Sequence, residues 1–135
     1  PILGNGYGSF AFSYINNPEL LGSTSRFQMG AHNEYLQLLA ETGILGFSAW
    51  MWIIISFFVY GLRLLKKLRI ENNEIDSSSF WQSIVIGVMS AALSLLIHFI
   101  VNNLIQADIV GIPFWTLIGI LPAVGNIIEN ESSKD

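Results

Sequence analysis

Hydrophobic and polar positions fall into long blocks along this chain. Three blocks lack Asp, Glu, Lys and Arg for long enough to cross a bilayer: 43–62, about 80–101, and 109–128. A spanning helix takes about 20 apolar residues. It also satisfies its backbone polar groups internally, as hydrocarbon requires. The pattern therefore predicts three transmembrane helices. Gly111, Pro113, Gly119, Pro122 and Gly125 interrupt the third, so a kink at Pro122 or a partly re-entrant path is expected there.

Ahead of the first span, residues 1–30 are rich in Gly, Ser and Asn and read as a loop punctuated by Pro18. Gly4, Gly6 and Gly8 lack the strand and helix that a nucleotide fingerprint needs, so they are read as permitting a tight turn, with a phosphate cradle as the lesser alternative. A helical period begins at His32. His32, Leu36, Leu39 and Gly43 share one face, and Glu34, Gln37 and Glu41 lie on a polar one. The expected fold class is thus all-α: a polytopic transmembrane helical fragment with three spans and an external, partly helical N-terminal loop over 1–42.

Composition agrees with membrane residence. Of the 135 residues, 52% are hydrophobic and only 12% charged, against about 25% charged in ordinary soluble domains. A net charge of −4 leaves no basic patch for nucleic acid. Without cysteine there is no disulfide framework or thiolate metal site. Pro1 is not followed by a basic leader, so the sequence is expected to be a piece of a longer protein.

Charge also sets an expected orientation. Arg63, Lys66, Lys67 and Arg69 mark the connection 63–79 as cytoplasmic by the positive-inside rule. Residues 1–42 and the Asn102–Asp108 turn then lie outside, and the tail 129–135 lies inside. Trp50 and Trp52, and Phe80 with Trp81, are expected to form aromatic belts at the interfaces.

Few side chains offer chemistry. His32 stands at or just before the first helical turn, where the positive end of the helix dipole disfavours imidazolium. A neutral imidazole suits a general base; a plain capping role is the alternative. Arg26 is the one cation expected outside. It suits a phosphate or diphosphate, or else pairs with Glu19 or Glu34. Glu34 and Glu41 read more readily as a solvated helix face than as an acid–base pair. His98, within the second span, is a functional candidate by depth; helix–helix hydrogen bonding by His98 and Asn102 is the alternative. Two histidines and scattered carboxylates lack metal-ligand spacing, so no metal is expected.

The run Gly4-Asn-Gly-Tyr-Gly-Ser-Phe, then His32-Asn33-Glu34-Tyr35-Leu36 through Glu41-Thr42-Gly43-Ile44-Leu45-Gly46, resembles the C-terminal part of the O-antigen ligase/polymerase family. The stretches Leu96–Asn103 and Phe114–Gly119 resemble its closing pair of spans. The resemblance implies a glycosyltransferase in the bacterial plasma (inner) membrane that needs no cofactor and no metal. Its donor would be a glycan linked to undecaprenyl diphosphate, and its acceptor a sugar hydroxyl of a glycan or a lipid core, with membrane lipids around it. On this resemblance His32 is the catalytic candidate, while Arg26, Asn33, Glu34 and His98 are the substrate-binding candidates. The family's other arginines would lie outside this chain, so the fragment alone is expected to be inactive. A transporter or permease piece and a structural membrane subunit are the competing readings.

Overall fold

A computed structural model of the chain describes residues 2–6, 9, 33–70, 75–102 and 108–132. Three long helices account for most of them: α1 (Glu34–Ile70), α2 (Ile75–His98) and α3 (Asp108–Ser132). All three are long and apolar enough to cross a membrane, and no strand occurs among the described residues. The protein is an all-α membrane protein.

The local reasons are visible in the sequence. Leu, Ile, Phe, Met and Ala fill the helices, and such residues keep their backbone bonded within the helix in lipid. The basic cluster Arg63, Lys66, Lys67 and Arg69, expected in a connection from 63 to 79, is helical instead, because α1 continues to Ile70. Lys, Arg and Leu are good helix formers, and the cations in the last turn complement the negative end of the dipole.

The partly re-entrant path considered for the third span is not taken. α3 runs through both Pro113 and Pro122 as a single helix. The break lies in α1, at Gly43, whose φ of 68° and ψ of −173° are not helical. Only glycine adopts that region readily. α1 is therefore a short helix, 34–42, followed by a long one, 44–70. The second helix also stops before the predicted 101: it ends at His98, and residues 99–101 form a turn.

The chain forms two compact units. One comprises Ile53–Leu96 with Ala107–Asp135. Its core is a stripe from each helix: Phe57, Leu64 and Leu68 of α1, Val85 and Ala92 of α2, and Leu121, Val124 and Ile128 of α3. Spacings of three, four and seven put each set on one face. Within this unit Gly125 lies against Tyr60, and a β-carbon there would run into the phenol. Ile55, Leu62, Ile86, Leu93, Ile112 and Ile127 point outward, an arrangement that suits lipid on the outside.

The other unit, Pro1–Trp52 with Ile97–Gln106, carries the polar segment. Trp50 is buried here, edge-on to Tyr35 with ring centroids 5.5 Å apart and stacked near Phe47 at 6.4 Å. It takes part in the packing of this unit. Trp52 is largely exposed.

Candidate functional site

The site is built around the start of α1. Asn33 is the N-cap: its Oδ1 accepts from the Leu36 N–H at 3.0 Å, and its carbonyl accepts from the Gln37 N–H at 3.1 Å. Asparagine is among the best residues for this role because its side chain meets a helical donor that would otherwise lack a partner. The other end of the same carboxamide is also engaged, Nδ2 donating to the Ile100 carbonyl at 2.8 Å. The Glu34 N–H donates to the Phe99 carbonyl at 2.9 Å.

Those two carbonyls lie in the turn that ends α2. Carbonyls at a helix C-terminus lack partners within their own helix, as do amides at an N-terminus. Here the end of α2 and the start of α1 satisfy one another, with opposite dipole ends together. The Glu34 and Leu36 amides of the first turn are thereby engaged with protein acceptors.

The turn itself is tight. The Ile100 and Val101 N–H groups donate to the Ile97 and His98 carbonyls, each at 3.1 Å. His98 Nε2 and Asn102 Nδ2 are 3.2 Å apart, a pairing in which the amide donates to the ring. His98 is exposed at this edge.

A second junction closes the far end of the short helix. The Asn5 and Gly6 N–H groups donate to the carbonyls of Ala40 and Glu41, at 3.2 and 2.9 Å. Gly4 (φ 70°) and Gly43 (φ 68°) bring their backbones into direct apposition. A β-carbon on Gly4 would strike the Glu41 carbonyl, and one on Gly43 the Ile2 carbonyl. The glycine run therefore caps the kink. The amides of Asn5 and Gly6 point at helix carbonyls, which leaves them engaged rather than aimed at a phosphate.

Between these junctions the short helix sits opposite to expectation. Glu34 and Glu41, read as a solvated face, are buried at 0% and 1% exposure, and Gln37 beside them at 3%. Gln37 Nε2 donates to Glu41 Oε1 at 3.3 Å within that interior. Leu36 and Leu39 are the exposed pair. With Ile2, Asn5, Ala40 and Ile44 they line a groove of about 560 Å³. The polar side chains meet one another inside the unit, where each can find a hydrogen-bond partner.

The candidates from the sequence divide as follows. Asn33 and Glu34 are together at the cap, and His98 lies in the turn that receives them. His32 and Arg26 lie outside the described residues. Sequence reasoning missed the backbone acceptors at Phe99 and Ile100, since carbonyls carry no sequence signal. It also missed the cap at Asn33, although an asparagine just before a helical period is a recognisable start signal.

Comparison with known proteins gives one finding and two blanks. No curated protein matches the chain, and no solved structure does. Residues 1–51, which hold the Gly4–Gly43 junction, the Asn33 cap and the histidine–asparagine run, match the O-antigen ligase family.

Proposed function

We propose that this chain is the acceptor-activating part of a membrane glycan transferase of the O-antigen ligase or polymerase type. The family match over 1–51 carries the reading. The anchored cap supports it, because Asn33, the residue next to His32 in the chain, is held at both ends of its side chain. A base must be positioned as well as correctly ionised.

The reaction moves a polysaccharide or repeat unit from undecaprenyl diphosphate to an acceptor sugar hydroxyl. The acceptor oxygen attacks the anomeric carbon as the bond to the diphosphate oxygen breaks. The departing diphosphate takes the bonding electron pair. His32 takes the hydroxyl proton, and such positioned base help is typically worth about 10²–10⁴ in rate. Arg26 is the residue proposed for the leaving diphosphate, whose growing charge a guanidinium can stabilise through two parallel hydrogen bonds. The basic end of α1 at 63–69 is cytoplasmic by the positive-inside rule, which assigns the His32 segment to the extracytoplasmic side of the plasma membrane. There the carrier's lipid tail stays in the bilayer while its head group meets water.

The test is glycan profiling of a host whose full-length parent chain carries His32→Ala, at equal membrane levels. Loss of the transferred glycan, with its lipid-linked precursor accumulating, is the expected result. Unchanged surface polysaccharide overturns the assignment.

A further inference from the structure

We propose that His98 and Asn102 are positioning residues for this reaction, acting on His32 through the turn they staple; the proposal rests on His32 being the acceptor base. The turn 98–102 is the seat of the α1 cap. Its own backbone bonds use the Ile97 and His98 carbonyls, which leaves those of Phe99 and Ile100 pointing at Glu34 N–H and Asn33 Nδ2. Wherever those two carbonyls go, Asn33 follows, and with it the residue bonded to its backbone nitrogen. The His98–Asn102 contact, 3.2 Å across the same turn, ties its two ends together through side chains. Neither residue has to touch substrate to matter. A displacement of about 1 Å at a reacting group can cost about a hundredfold in rate.

His98 is exposed, so replacing it releases the staple without opening a packed core. The assay uses membrane vesicles carrying the full-length parent chain at matched levels, supplied with the host's own lipid-linked glycan and acceptor. His98→Ala and Asn102→Ala are each expected to lower kcat about ten- to a hundredfold, with KM for donor and acceptor unchanged. His98→Gln retains an acceptor and keeps most of the rate. The exchanged pair, His98→Asn with Asn102→His, restores it. A rise in KM with kcat intact would instead mean direct substrate contact and overturn the proposal, as would an exchanged pair no better than the alanine variants. Wild-type rates in both alanine variants, with His32→Ala inactive, sink the proposal and leave the base assignment standing. Activity in His32→Ala removes the assignment itself.

Discussion

Asn33 and Ile100 stand 67 residues apart in the chain and are joined by a 2.8 Å hydrogen bond from the side-chain amide to the backbone carbonyl. The same side chain caps α1 through its oxygen. One residue therefore fixes both where the helix starts and what it starts against.

Substitutions at Asn33 separate those two tasks. Asn33→Ser keeps a capping oxygen and loses the amide donor, so helix stability should fall little while the link to Ile100 disappears. Asn33→Ala loses both, at about 1 kcal/mol for the cap alone. Thermal unfolding in detergent should rank the wild type above Ser and Ser above Ala. Transfer by the full-length protein should already fall in the serine variant.

The kink offers a sharper contrast. Gly43→Ala places a β-carbon against the Ile2 carbonyl at a backbone angle that alanine avoids, a strain of about 1–3 kcal/mol before the collision is counted. Gly119→Ala, where nothing lies within 4 Å, should be neutral or stabilising by about 0.5–1 kcal/mol. Equal midpoints for the two variants would contradict the backbone junction between Gly4 and Gly43.

The buried pair Gln37 and Glu41 predicts a dependence on hydrogen bonding rather than size. Glu41→Gln keeps a side-chain oxygen in the interior and should be tolerated. Glu41→Leu takes that acceptor from the Gln37 amide, and loss of a buried partner costs about 1–3 kcal/mol. A leucine variant as stable as the wild type would show that this hydrogen bond adds no net stability.

In the helical unit, Gly125→Ala should destabilise by collision with the Tyr60 phenol. Tyr60→Phe in the same chain should return part of the loss, because the hydroxyl is the nearest atom to the new methyl. Residues in contact couple in this way, by about 0.5–3 kcal/mol, and a double-mutant cycle in detergent measures it. Simple additivity would argue against the contact.

The helical spans were legible because they depend on one property summed over many residues. Long uncharged runs have no other stable form in lipid, and the three helices follow them closely. The polar segment was legible as a motif and as a helical period at Glu34, Gln37 and Glu41, yet its sidedness was read backwards. Periodicity tells which residues share a face; it does not tell which phase that face meets. Gly43, whose angles decide the break in α1, looked like the ordinary start of a span.

What the chain's own order determined, then, is its medium, its three helices and the place of the histidine–asparagine run ahead of the first of them. Each follows from local composition and short-range spacing. Only tertiary structure decided that the carboxylates turn inward, that Gly4 meets Gly43, and that Asn33 is seated on the carbonyls of Phe99 and Ile100. Those are contacts between segments distant in sequence, made largely by backbone atoms that every residue carries alike.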